Sequence, residues 1–96
     1  MQFLAITRRL TERFSDADFA AVLEPEAERA RTLHSEGLFR SIFSRGDIPG
    51  AVIMLEANDL DEAQRIVGTL PFAQKGLMDV QLIELRPYRG FAPRGS

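Results

Sequence analysis

The chain has 96 residues, of which 45% are apolar, and its formal net charge at pH 7 is −2. This length allows one domain, and the apolar content is that of a globular protein rather than a disordered one. The net negative charge disfavours a nucleic-acid partner, and the lack of cysteine excludes disulfides and thiolate metal sites.

The first part of the chain predicts a strand followed by an interrupted helix. Residues 3–8 are short, apolar and partly β-branched, which is typical of a strand. Ser15 can cap a helix that follows it. Pro25 cannot donate to a helical hydrogen bond, so we expect a kink or a restart there, with Pro25 in the first turn of the second piece. Gly37 then ends the helix as a C′ residue.

The remainder predicts a hairpin, a second helix and a last strand. Turn residues at 46–50 separate two strands, over residues 38–45 and 51–57. Asp59 caps the second helix, which Pro71 stops. Residues 77–85 then form the fourth strand.

The order β-α-β-β-α-β favours an α+β, ferredoxin-like fold, an antiparallel sheet with two helices on one face. We expect one domain over residues 1–91 and an irregular tail over residues 92–96. Both faces of the sheet are predicted to be apolar in the middle. One predicted face carries Phe39, Phe43, Ile53, Ile83 and Leu85, and the other carries Leu4, Ile6, Ile42, Val52, Met54, Val80 and Leu82. Two helices cover one face, so a second copy of the chain is expected to cover the other.

The amino terminus has no basic residues before its short apolar run, which makes it a poor signal peptide. No apolar stretch approaches the ~20 residues that a membrane span needs. The sequence therefore predicts a cytoplasmic protein without a membrane partner.

Several segments resemble the muconolactone isomerase-like branch of the dimeric α/β-barrel superfamily. They are Glu36-Gly37-Leu38-Phe39-Arg40 at a helix-to-strand junction, Leu70-Pro71 after the second helix, Leu77-Met78-Asp79-Val80 at the last strand, and the ending Leu85-Arg86-Pro87-Tyr88-Arg89-Gly90-Phe91. The resemblance covers roughly residues 2 to 91. It implies two ferredoxin-like subunits packed sheet to sheet as a homodimer, or as a higher homo-oligomer.

The resemblance also implies an activity. Muconolactone isomerases move a double bond in a lactone by proton transfer, without a metal or an organic cofactor. We therefore expect a cofactor-independent enzyme acting on a small lactone or ring metabolite between sheet and helices. A non-catalytic ligand-binding or regulatory module, or a protein like the cofactor-free monooxygenases of the superfamily, is the alternative, because fold alone does not choose between them.

Three residues are candidates for catalysis. If Gly46 faces Gly50 in the hairpin, Arg40 faces Glu56 across the two strands. Arg40 would then hold a substrate carboxylate and Glu56 would move protons; the alternative is an ordinary cross-strand ion pair. His34, the one histidine, is a weaker candidate acid or base, since a helix C-terminus gives it an ordinary structural role.

Neither a metal site nor a cofactor site is predicted. One histidine and no cysteine leave only a weak all-carboxylate metal site, without a supporting spacing. The seven glycines are scattered and form no phosphate loop. An RNA-binding sheet is disfavoured as well, because the strand over residues 51–57 has no aromatic residue for base stacking.

Overall fold

The computed structural model describes residues 1–91, and the tail predicted over residues 92–96 lies outside the described residues. The helices and strands follow the predicted order, with one short helix added before the last strand. They are β1 (Gln2–Arg9), α1 (Asp16–Ala20), α2 (Leu23–Ser35), β2 (Phe39–Ser44), β3 (Ala51–Glu56), α3 (Leu60–Gly68), α4 (Pro71–Gln74) and β4 (Met78–Leu85), followed by a 3₁₀ turn at Arg89–Phe91.

The four strands form one antiparallel sheet in the order β2-β3-β1-β4. Alternate side chains of β1, namely Phe3, Ala5 and Thr7, are buried. Phe3 and Ala5 belong to one core cluster with Leu33 of α2 and Val67 of α3, so the helices cover this face. The predicted ferredoxin-like α+β fold is confirmed.

Helix boundaries follow the chemistry of single residues. The Ser15 hydroxyl accepts from the backbone N–H of Asp18 at 3.3 Å, and the Asp18 carboxylate accepts from the Ser15 N–H at 2.8 Å, which is a capping box. The predicted restart at Pro25 is confirmed, because α2 begins two residues before it and places it in the first turn. Gly37 follows α2 with φ 78°, the left-handed conformation that glycine adopts without steric cost.

The predicted faces of β2 are partly wrong. Phe39 lies opposite Leu55, as expected, but the register between β2 and β3 shifts between Phe39 and Ser41. This bulge reverses the alternation that the sequence implies. Ile42 therefore pairs with Ile53 and Phe43 with Val52. Phe43, predicted beside Phe39, lies on the opposite face and is 66% exposed.

The predicted faces of β4 are wrong. Leu82 pairs with Ala5 and Ile83 with Leu4, so Leu82 lies under the helices and Ile83 on the other face. Alternation within β4 gives two sets of apolar residues but not which set faces the helices. We call the uncovered side of the sheet the open face. Its apolar residues are Leu4, Ile6, Phe43, Val52, Met54, Ile83 and Leu85.

The hairpin between β2 and β3 lies against the end of β1. The β1–β3 pairing stops at Ile6 and Val52, and beyond it the Thr7 hydroxyl accepts from the backbone N–H of Ala51 at 2.9 Å. Gly50 lies so close that a Cβ built on it would collide with the carbonyl oxygen of Thr7. Glycine is required at this position because the two backbones touch.

We expect Gly50→Ala to lower the free energy of unfolding by about 1–3 kcal/mol, the usual cost of overpacking. The matched control is Gly46→Ala in the same hairpin, where an added Cβ meets nothing within 4 Å. Urea unfolding of both variants measures the difference. Equal midpoints for the two variants would show that the Gly50–Thr7 contact does not constrain the hairpin.

Candidate functional site

A cavity of about 240 Å³ lies between α2 and the helix-covered face of the sheet. We call it the helix–sheet cavity. Its walls are mostly apolar, from Leu23, Ala27, Ala30, Ile42, Ala51, Ile53, Leu70, Phe72 and Met78. Its polar side chains are Thr7, Arg9, Glu26 and Ser44. A concave, mainly apolar space with a few polar groups is the usual form of a small-molecule site.

Glu26 is the acidic group of the cavity. It is half-buried in α2, and one carboxylate oxygen accepts from the backbone N–H of Phe72 in α4 at 2.8 Å. Burial raises the pKa of the Glu26 carboxyl above its ordinary value, opposed by the hydrogen bond from Phe72 and by the charge of Arg9. A carboxylate with a raised pKa is a stronger base than one in water, which suits it to removing a proton from carbon.

Arg9 is the basic group, at the end of β1. Its guanidinium carbon lies 5.0 Å from the ring centre of Phe72 and 5.7 Å from that of Phe19, a cation–π arrangement with both rings. Within residues 1–91, Arg9 forms no ion pair at 4.0 Å or less. The aromatic rings thus hold the guanidinium at the cavity wall and leave its N–H groups available to an anion.

The sequence did not lead us to predict Glu26 or Arg9 as site residues, although one signal was present for Glu26. Glu26 falls inside the apolar stripe of its helix, four residues after Val22, four before Ala30 and seven before Leu33. Side chains at these spacings share one helix face. A charged residue on the helix face that packs against the sheet predicts a partly buried charged side chain.

The structure does not bring Arg40 and Glu56 together. The predicted hairpin register is wrong, because Ser44 pairs with Ala51 and the bulge then takes up Arg40. Arg40 is exposed, whereas Glu56 lies on the open face opposite Gln2, whose side-chain amide donates to it at 3.3 Å. Neither residue lines the helix–sheet cavity.

His34 is exposed in the last turn of α2. Together with Ala30 and Arg31 of α2 and Ile42 of β2, it lines a groove between this helix and the edge of the sheet. The catalytic roles of Arg40, Glu56 and His34 stay predictions.

No group of three or more His, Asp or Glu side chains in residues 1–91 is arranged to hold a metal ion. Over the same residues, no helix is long and apolar enough to cross a membrane. That the protein works without metal or cofactor stays a prediction, which elemental analysis and an absorption spectrum of the purified protein would test.

The sequence of this chain matches the model of a known protein family. The model for the YCII-related domain matches residues 3–86, which is most of the chain. The protein belongs to this family. No curated protein matches the sequence significantly.

Solved structures extend the comparison to the fold of the YCII-related domain. A muconolactone isomerase superposes with a TM-score of 0.76 at 18% identity, covering 93% of this chain and 92% of that one. The 5-chloro-2-hydroxyhydroquinone dehydrochlorinase of Burkholderia phenoliruptrix AC1100, in complex with 2,5-dihydroxybenzoquinone, superposes with a TM-score of 0.65 at 16% identity, covering 90% and 94%. The predicted resemblance to the muconolactone isomerase-like branch is thereby confirmed for the fold.

We expect the stability of the wild type relative to Glu26→Gln to fall as pH rises above 4.5, the ordinary pKa of this carboxyl. Because folding raises the pKa of Glu26, its contribution is fully present below the ordinary value of 4.5 and is lost as pH passes the folded-state pKa. Urea midpoints at several pH values measure this. Glu28→Gln, on the exposed side of α2, controls for the loss of one acidic group. The same trend for both variants would contradict a burial effect at Glu26.

Proposed function

We propose that this YCII-related protein is a cofactor-independent enzyme that moves a proton within a small lactone or ring metabolite bound in the helix–sheet cavity. The observation that carries the proposal is Glu26, a half-buried carboxylate with a raised pKa in an otherwise mainly apolar cavity. Perturbed acids in apolar clefts are typical of sites of acid–base chemistry. The chain shares its fold with a muconolactone isomerase, but fold alone does not choose the reaction, so the proposal depends on Glu26.

In the proposed reaction, the Glu26 carboxylate removes a proton from a carbon next to a carbonyl group of the substrate. The hydrogen bond from the Phe72 N–H holds one oxygen of Glu26, which fixes the direction of the other. The protonated carboxyl then returns the proton to a different carbon, so that a double bond moves and no atom is gained or lost. Such a positioned acid–base group is worth about 10²–10⁴-fold in rate.

Arg9 supports the reaction by binding an anionic group of the substrate. Its charge is partly desolvated by Phe19 and Phe72, and Coulombic attraction to an anion is stronger in such surroundings than in water. The Arg9 charge also opposes the rise in the Glu26 pKa, which keeps the base ionised over a wider range of pH.

A non-catalytic ligand-binding module is the second candidate function. The Glu26 carboxylate already accepts from a backbone N–H in the first turn of α4, which is a structural use of the residue. If this is its whole role, Glu26→Gln preserves it, because the amide oxygen accepts the same hydrogen bond. The two functions therefore differ in what this one substitution does to turnover.

We expect Glu26→Gln to lower turnover of a muconolactone probe by about 10²–10⁴-fold, with little change in folding at neutral pH. Proton NMR in D₂O follows both the shift of the double bond and the entry of deuterium. Glu28→Gln is the control on the same helix. Loss of turnover in Glu56→Gln, with Glu26→Gln active, would instead place the chemistry at Glu56 on the open face. Wild-type protein that exchanges no proton in any such lactone would support the binding module.

We further propose that the open face is the contact surface of a homodimer. Val52 and Met54 lie on this face in β3, beside Leu4 and Ile6 of β1, and within residues 1–91 no helix packs over them. A contiguous apolar surface of this kind typically marks an interface between subunits. Residues of the open face alternate with residues of the buried face along all four strands.

Sedimentation at micromolar concentration should give at least twice the mass of one chain. Val52→Lys places a charge in the middle of the open face and should shift the protein toward the monomer, because a buried unpaired charge is costly. The matched control is Gln74→Lys in α4, on the other side of the molecule. A wild-type monomer, or a Val52→Lys dimer as stable as the wild type, would contradict this interface.

A further inference from the structure

Thr7 is a polar side chain in an apolar place. Among residues 1–91, Thr7 is the one buried residue with a polar side chain, and 3% of its surface is exposed. It lies at the wall of the helix–sheet cavity, two residues before Arg9 on the same strand. Valine has the same shape as threonine without the hydroxyl, so packing alone does not explain a polar group at this position.

Within residues 1–91, the Thr7 hydroxyl has one hydrogen-bond partner, for which it is the acceptor. Its oxygen accepts from the Ala51 N–H at 2.9 Å, and within residues 1–91 it donates to no protein acceptor. A hydroxyl carries one hydrogen as well as its lone pairs. The bond from Ala51 holds the oxygen in one place, and Thr7 is one of the residues that line the cavity.

The backbone around Thr7 is also held in place. The Arg45 side chain donates to the Thr7 carbonyl oxygen at 3.2 Å, and it is itself held by Asp47 through bonds of 2.9 and 2.8 Å. The bidentate bond from Arg45 lowers the pKa of Asp47 to about 2, so this pair stays charged at neutral pH. The close contact with Gly50 leaves little room for Thr7 to move.

We propose that the Thr7 hydroxyl donates a hydrogen bond to the substrate oxygen that becomes negative when Glu26 removes the carbon-bound proton. The inference rests on the proposed function. As the C–H bond breaks, its proton goes to the Glu26 carboxylate and its electron pair becomes delocalised onto the carbonyl oxygen. When the proton returns to another carbon, the charge leaves the oxygen. A fixed donor at an oxygen that gains charge stabilises the transition state more than the substrate.

The direct test is binding of 2,5-dihydroxybenzoquinone, a small ring whose ionised oxygens imitate an enolate. Titration should show that the wild type binds it and that Thr7→Val weakens the affinity about tenfold, the loss expected for one hydrogen bond to a charged group. Thr7→Ser keeps the hydroxyl and should bind within about threefold of the wild type. Equal affinity of wild type and Thr7→Val, or no binding by the wild type, would overturn the proposal.

A second variant separates donation to the ligand from support of the hairpin. Asp47→Ala removes the partner of Arg45 and should loosen the same junction while keeping the Thr7 hydroxyl. Amide exchange at Ala51 measures that loosening, and we expect faster exchange in both Asp47→Ala and Thr7→Val. If Asp47→Ala keeps its affinity for the probe while Thr7→Val loses affinity, the donor role of Thr7 is supported. An equal loss of affinity in both variants would show that Thr7 acts only by holding the hairpin.

Measurements of turnover distinguish failure of this inference from failure of the proposed function on which it rests. With the lactone probe, Thr7→Val should lower kcat at least about tenfold and Thr7→Ser should restore most of it. If the wild type turns over no lactone, the proposed function fails, and the titration still decides whether Thr7 binds an anionic oxygen. If Glu26→Gln is inactive but Thr7→Val has wild-type kcat and affinity, the function stands and the role of Thr7 is wrong.

Discussion

The rest of the structure depends on the position of β1 inside the sheet. It pairs with β3 on one side and with β4 on the other, so its backbone hydrogen bonds are satisfied along both edges. Its side chains alternate between the core under the helices and the open face. The core, the cavity wall and the proposed subunit interface therefore all take residues from one eight-residue strand.

At the carboxyl end of β1 the chain changes from building the core to building the cavity. Phe3 and Ala5 pack in the hydrophobic cluster, but Thr7 and Arg9 follow at the same spacing and are polar. Polar groups at such positions cost free energy unless they find partners. The Thr7 hydroxyl accepts from the Ala51 N–H and the Arg9 guanidinium packs on two aromatic rings, so both side chains are held in place.

The family and the fold limit the function without determining it. The YCII-related domain model and the muconolactone isomerase superposition concern the whole βαββαβ framework, which hosts more than one chemistry. Our proposal of proton transfer rests on the contents of the cavity, which is lined by a carboxylate from α2 and a cation from β1 among mostly apolar residues. In the proposed reaction, the carboxylate removes a proton from a carbon atom of the substrate and the cation binds an anionic group of the same molecule.

Local patterns in the sequence determined the elements and their order. Ser15, Pro25, Gly37 and Asp59 act within a turn of where they stand, through capping bonds, a missing N–H and a left-handed φ. Their effects depend on neighbours in the chain, so helix limits could be predicted to within a few residues. The short helix α4 was missed, because Pro71 both stops one helix and can begin the next.

Tertiary structure decided the faces of the sheet and the site. The bulge near Arg40 moves Phe43 to the open face and separates Arg40 from Glu56, and one inserted residue of this kind leaves no clear trace in an alternating pattern. Glu26 and Arg9 line one cavity from α2 and β1, elements whose relative position depends on packing of the whole core. The sequence therefore determined which elements form, because capping and alternation are local, whereas the cavity required long-range contacts that local rules do not contain.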